Sequence, residues 1–393
     1  MKNTNNISRV PKLRFPGFEG EWGEKKLGEI TESVYQPQTI SKEFFSKKGY
    51  PVYGANGIIG YYDKYNHETD QILVTCRGSS CGTINLSKGK CWITGNAMVV
   101  NLDKVEEQYD KYFLYYMLEN TDLGHLITGS GQPQIVRTPL LNLTLFLPPT
   151  FEEQNKIASF LSEMDNQISA QSQKVESLKN HKKGLMQQLF PKPGKTTPQL
   201  RFSGFTGEWE YVNGDVLFEP ITNKNHNSDL PILALTQDQG AVPRDMINYN
   251  VIVSDKSVAG YKVVEVDDFI ISLRSFQGGI EYSRYKGLCS PAYIVLRKKS
   301  KELCSDFYRI YFKSFNYIQE LNKNLEGIRD GKMISYSQFS EIKLPKPSPD
   351  EQKKVAECLS TLDNTITAES DKLEVLKNHK KGLMQQLFPQ PIK

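Results

Sequence analysis

Four short stretches of this 393-residue chain carry residue types that could do chemistry, and each fails on its surroundings. LPPT at 147–150 stands nearest to the N-P-P-Y-type motif of an adenine methyltransferase, but it lacks the Asn and the aromatic and reads as a strand end before a helix. GSGQPQ at 129–134 has two glycines of a G-x-G-x-x-G loop without the third, and no strand leads directly into it or helix out of it. GKT at 194–196 ends like a phosphate loop, yet Leu189 stands where that loop needs Gly, and PKPGKTTP reads as a linker. PDEQK at 349–353 shares its acids with a nuclease motif, but acids at that place are accounted for by a helix N-terminus. Cys76, Cys81 and Cys91 are spaced C-x4-C and C-x9-C, which fits no standard zinc site, so they are expected as small buried hydrophobes. The five histidines have no Ser–Asp arrangement beside them. We therefore expect no catalytic residue, no metal ligand and no cofactor: a non-enzyme.

The elements that such a chain must build follow from composition and repetition. At 38% hydrophobic and 24% charged residues it has the make-up of a globular protein of two or more domains. It contains no apolar run of membrane-spanning length, and its N-terminal residues lack the apolar core of a signal peptide. A cytoplasmic location with reduced thiols is expected. The net charge of +4 allows a nucleic-acid partner without pointing to one.

The chain is a tandem repeat. LKNHKKGLMQQLFP occurs at 178–191 and again at 376–389, and PKLRFPGFEGEW at 11–22 matches PQLRFSGFTGEW at 198–209 in nine of twelve letters. Between these bookends the letters diverge while the outline persists. Each half has short β-rich runs such as 71–75 and 268–273, an aromatic helical stretch (109–118 and 307–321), a glycine-containing loop, a short strand (LTLFLPP and EIKLPKP) and a long helix. Thr150 with Glu153, and Ser348 with Glu351, have capping-box spacing, and Pro349 suits the first helical position. Ile157, Leu161, Met164, Ile168, Gln171, Val175, Leu178, Lys182, Leu185 and Leu189 step by four and three. Val355, Leu359, Leu362, Ile366, Glu369, Leu373, Leu376, Lys380, Leu383 and Leu387 repeat that register.

A heptad seam needs a partner helix, and the simplest is the other half's helix, packed antiparallel about a pseudo-twofold axis with a head at each end. The polar residues Gln171 and Glu369 would help set register. Pairing between two chains satisfies the same spacing. The expected fold is α+β: two globular recognition domains (1–150 and 198–347), long helices at 151–191 and 348–393, the latter with the tail, and a linker at 192–197. Most letters of the repeated segment lie off the seam. Two copies of one surface, made by His181, Lys183, Met186, Gln187 and Phe190 and by His379, Lys381, Met384, Gln385 and Phe388, could bind two copies of one partner. Recent duplication would also leave identical text.

Taken together, RFPGFEGEW and RFSGFTGEW at the openings, LPPTFEEQNKIASFL and KPSPDEQKKVAECLS at the helix entries, and KKGLMQQLFP at both closings give a layout that resembles the DNA-specificity subunit of type I restriction–modification systems. The resemblance covers essentially the whole chain. It implies two target recognition domains, each reading one part of an interrupted double-stranded DNA target. It also implies helices that hold two methyltransferase subunits, with ATP-driven restriction subunits in the full complex, and no chemistry in the chain itself. A base to be methylated would be extruded by the methyltransferase subunits.

Reading bases requires Arg, Gln, Asn and Ser side chains presented on loops, with further cations on phosphates. The first head offers Tyr53, Asn56, Arg77, Ser79, Ser80, Gln132, Gln134 and Arg137. The second offers Gln237, Gln239, Arg244, Arg274, Ser275, Gln277, Arg329 and Lys332. Arg77 and Arg274 rank first, because each follows a predicted strand beside Ser and Gly, where a guanidinium could reach a guanine edge. Heads that differ should read unlike half-sites. A coiled-coil adaptor with protein-binding heads, or a diverged methyltransferase or nuclease, are the alternative readings.

Overall fold

The computed structural model describes residues 9–129, 131–227, 229–247, 258–323 and 334–389. Its two compact units do not follow chain order: one combines Met1–Gln173 with Asp371–Lys393, the other is Lys174–Ser370. Each unit therefore contains one head, part of the helix that follows that head, and part of the other long helix.

The first head is built on a four-stranded antiparallel sheet in the spatial order Ser33–Tyr35, Ala97–Asn101, Ile72–Thr75, Ile84–Leu86. Every residue of the two central strands, ILVT and AMVVN, is buried, because both faces of the sheet are covered. Ile72, Val74, Met98 and Val100 point into the main core with the helix Lys111–Glu119. Leu73, Ala97 and Val99 point the other way, toward Cys91 and toward Tyr53 and Ile93 of a three-stranded sheet made by Gly57–Tyr62, Tyr50–Gly54 and Trp92–Ile93. This is the period-two alternation of a strand applied to two cores.

The second head repeats the plan with other letters. Its sheet runs Phe218–Ile221, Ile294–Lys298, Phe269–Ile271, Glu281–Tyr282. Phe269, Ile271 and Leu296 enter the main core, while Ile270 and Val295 enter the smaller one. In each head a closing antiparallel pair joins start to end, Gly23–Lys26 with Thr144–Leu147 and Glu210–Asn213 with Lys343–Lys346.

The aromatic helical stretches differ in detail from expectation. The first begins at Lys111 rather than 109, because the Asp110 carboxylate accepts the Phe113 N–H at 2.8 Å and caps it there. The second is two helices, Ser305–Tyr311 and Phe315–Lys323, and the Ser314 hydroxyl accepts the Tyr317 N–H at 3.3 Å to start the latter.

The long helices span Phe151–Leu189 and Pro349–Leu387, 39 residues each. Thr150 and Ser348 hydroxyls accept the N–H groups of Glu153 at 3.3 Å and Glu351 at 3.4 Å, which is the capping half of the expected box. The two glutamates serve another purpose. The Arg14 guanidinium donates to both Glu153 carboxylate oxygens at 2.8 and 2.7 Å and to the carbonyls of Gly20 and Glu19. Arg201 repeats this on Glu351 at 2.8 and 2.8 Å and on the carbonyls of Gly207 and Thr206. The opening bookend of each head is thus pinned to the first turn of that head's own long helix. Every seam position named above is buried or half-buried, and Glu369 is paired with Lys174 at 2.5 Å.

The repeated fourteen letters make the same internal contacts twice. Phe388 lies against Trp22 and Phe113 in the first head, with ring centroids 6.4 and 5.6 Å away. Phe190 lies against Trp209 and Phe307 in the second, at 6.4 and 5.5 Å. The Gln386 carbonyl accepts the Leu13 N–H and the Gln188 carbonyl the Leu200 N–H, each at 3.0 Å. Lys380 pairs with Asp165 at 2.7 Å, and Lys182 pairs with Asp363. Phe190 and Phe388 are only 1% and 3% exposed and Met384 is buried with them, while Met186 is half-buried. The expectation that these residues face a partner is corrected: the aromatic ends of the repeat are core.

Candidate nucleic-acid interface

In the first head three glycine-bearing loops converge. The 76–82 turn leaves the central strand at Thr75 and closes on itself, with the Gly82 N–H donating to the Thr75 carbonyl at 2.8 Å. Gly78 and Gly82 take φ of +90° and +91°, a region where other side chains are strained. Thr128 and Gln134 exchange backbone hydrogen bonds of 2.9 Å to close the second loop. The two loops are then stitched together by Gly78 N–H to the Pro133 carbonyl and Ile135 N–H to the Cys76 carbonyl, each 3.1 Å, which sets Arg77 across from Gln134. The third loop joins through the Ala55 carbonyl, which accepts from the Thr75 hydroxyl and, at 3.1 Å, from the Asn85 amide. Asn56, Arg77, Ser79, Gln132 and Gln134 are exposed on these loops, Ser80 is half-buried, and Arg137 is exposed at the start of the short helix Arg137–Leu141 that follows the second loop. Beneath Arg77, burial pushes the Cys76 thiol up, against hydrogen bonding from Gln36 and the Arg77 charge. Cys76 and Cys91 are buried and Cys81 is half-buried, as small core residues.

The second head converges by different means. The Ser275 hydroxyl accepts the Ser272 N–H at 2.7 Å, and the turn closes through Gly279 N–H to the Ser275 carbonyl at 2.8 Å. The neighbouring 236–240 loop lies directly on it. A Cβ placed on Gly278 would meet the Gln237 side chain at 2.7 Å, and one on Gly240 the Tyr282 carbonyl oxygen at 2.5 Å. Gln237, Gln239, Arg274 and Gln277 are exposed and Arg244 is half-buried.

Two expected readers are displaced by the structure. Tyr53 is 7% exposed, its ring in the smaller core and its hydroxyl accepting the Lys88 N–H at 3.2 Å, so it shapes its loop and presents nothing outward. Ser275 is 1% exposed and serves the turn. Arg329 and Lys332 lie outside the described residues.

The arginines fall into two groups. Arg14, Arg201, Arg297 and Arg309 are held by carboxylates. Arg77, Arg137 and Arg274 are exposed and form no ion pair among the described residues. Arg284 belongs with the second group and was missed by sequence reasoning: it is exposed beside Ser283, which bridges to Ala241 of the neighbouring hairpin. Its local signal was only an Arg two residues after a short strand. A free guanidinium on a glycine-bearing loop is the donor set that reads guanine edges and phosphates.

On the helices, His181, Lys183 and Gln187, and His379, Lys381 and Gln385, are exposed in both copies of the repeat. Among the described residues, no helix is long and apolar enough to cross a membrane.

A domain model described as "Type I restriction modification DNA specificity domain" matches residues 19–180 and again 210–378. The chain is 27% identical over 414 residues to the type I restriction enzyme MjaVIII specificity subunit of Methanocaldococcus jannaschii, covering 98% of this chain and 95% of that one. Its fold is similar to the S subunit of a type I restriction–modification system from M. genitalium, with TM-score 0.68, 18% identity and coverage of 97% and 99%. A second solved chain, from work on complex assembly and conformational transition of the type I system, gives TM-score 0.52 at 16% identity, covering 97% of this chain and 100% of that one. Because the domain model matches twice, each time over a head and most of the long helix that follows it, the chain belongs to the type I restriction–modification DNA specificity family and is a specificity subunit with two recognition domains.

Proposed function

We propose that this subunit reads an asymmetric two-part DNA target, one half-site per head, and carries two methyltransferase subunits, joined in the full complex by restriction subunits. The observation that carries this reading is the convergence, on each head, of polar glycine-bearing loops that display arginines without carboxylate partners among the described residues. The loops differ between heads in letters and in the hydrogen bonds that tie them, so the half-sites are unlike. The chain itself does no chemistry, in the cytoplasm: it positions DNA for subunits that extrude and methylate a base.

The long helices pair antiparallel within the chain. Supporting this, Lys174 meets Glu369 and Lys182 meets Asp363, so that positions rising along one helix meet positions falling along the other. The exposed His181, Lys183 and Gln187, and their repeats His379, Lys381 and Gln385, form two copies of one surface for the methyltransferase subunits. That surface replaces the wider one drawn from the repeat, since its phenylalanines are core.

The test is a pair of single variants assayed on randomised duplex. Arg77→Ala should relax one half-site and Arg274→Ala the other, each by roughly tenfold, the worth of one good base contact. Uniform weakening over the whole target would make them phosphate contacts, and no change would remove them from the interface.

A further inference from the structure

Beneath the Arg274 turn lies a buried ion pair that the reading above does not use. Glu281 is 3% exposed, and one carboxylate oxygen accepts from the Lys313 ammonium at 2.6 Å while the other has no hydrogen-bond partner among the described residues. The same ammonium donates to the carbonyl of Gly278 at 2.9 Å. Gly278 is the last residue of the 275–278 turn, and it is the residue on which the Gln237 side chain rests. Gly279 follows at φ +83°, so close to the Phe312 carbonyl that a Cβ there would stand 2.1 Å from its oxygen. Burial raises the Glu281 carboxyl, the Lys313 charge opposes this, and Asp238 of the neighbouring loop adds to the rise.

A buried carboxylate is costly unless paired, and here its partner spends a second donor on a backbone carbonyl of the loop above. Lys313 stands in the turn between the helices Ser305–Tyr311 and Phe315–Lys323, so the pair ties the loop to the head's helical layer. The first head ties its Arg77 loop to a neighbouring loop by backbone hydrogen bonds.

We propose that Lys313 and Glu281 are positioning residues for DNA reading by the second head. The ammonium, oriented by Glu281, holds the Gly278 carbonyl, and thereby sets the turn that displays Arg274 and Gln277 and the seat of Gln237. The inference rests on the proposed reading of that loop as DNA-facing.

The experiment uses the full chain with its co-purified subunits, selected against randomised duplex DNA and read separately at each half-site. Lys313→Met should relax base preference at the second half-site about tenfold and leave the first unchanged. Lys313→Arg, which keeps charge and donors, should restore preference. If Lys313→Met does not fold, the double variant Lys313→Met/Glu281→Gln, which leaves no buried charge unpaired, carries the test with the same expectation. An unchanged second half-site in a folded variant, or equal loss at both half-sites, overturns the positioning role. Arg274→Ala in the same assay separates the causes. Loss with Arg274→Ala but not with the double variant overturns positioning alone, whereas no loss with either overturns the DNA-facing reading of the loop and this inference with it.

Discussion

Arg14 and Arg201 show how a single residue type divides by environment. Glu153 is 1% exposed beside an Arg14 whose side chain is 14% exposed. Removing the guanidinium leaves a buried carboxylate and two carbonyls short of a donor. Arg14→Ala should therefore destabilise the first head by about 3 kcal/mol in denaturant melts. Arg77→Ala, at an exposed guanidinium without an ion partner among the described residues, should change stability by less than about 0.5 kcal/mol. That contrast was hidden in the sequence, where both are Arg near Gly; what separates them is a carboxylate far along the chain. Acid sensitivity is set at the same scale. Burial would raise the Asp103 carboxyl, but hydrogen bonds from Lys111, Thr69 and Asn101 outweigh it and hold it below the ordinary value. Asp70 is likewise lowered, by Tyr112, Gly89 and Lys88 against burial. A lowered folded-state value contributes stability present above the unfolded value of about 4, and that stability is lost as pH falls through the folded value. Asp103→Asn should thus lower stability at neutral pH and flatten its acid limb, measured as unfolding midpoint against pH.

At the scale of elements, the long helices were legible because heptad spacing and cap residues are local signals: Leu161, Leu359, Thr150 and Ser348 all behave as their spacing predicts. The strands were legible as short apolar runs, although the two-core alternation of Leu73 against Ile72 and Val74 was not, since one run of letters cannot say which face meets which core. The repeated segment was misread at its end. Phe388 meets Trp22 from the opposite end of the chain, a contact no local pattern announces, and Phe190 fills the equivalent socket against Trp209. Phe388→Ala should cost about 3–5 kcal/mol through the cavity it leaves. By contrast, Lys183→Glu with Lys381→Glu should leave unfolding unchanged and reduce co-purification of the methyltransferase subunit. Undiminished co-purification would exclude this face from the contact.

For the whole molecule, the repeated plan predicts one reader used twice, and the divergent loops predict two different texts. Base-specific and phosphate contacts separate by salt: affinity should fall steeply as salt rises while the preferred sequence stays the same. The most direct measurement is selection from a pool of randomised duplex DNA by the chain with its natural subunits, at low salt, followed by sequencing of the bound fraction. A split motif of two unlike half-sites at one fixed gap is the predicted result. A single continuous motif, two identical half-sites, or no enrichment at all would contradict the account of two different heads reading one interrupted target.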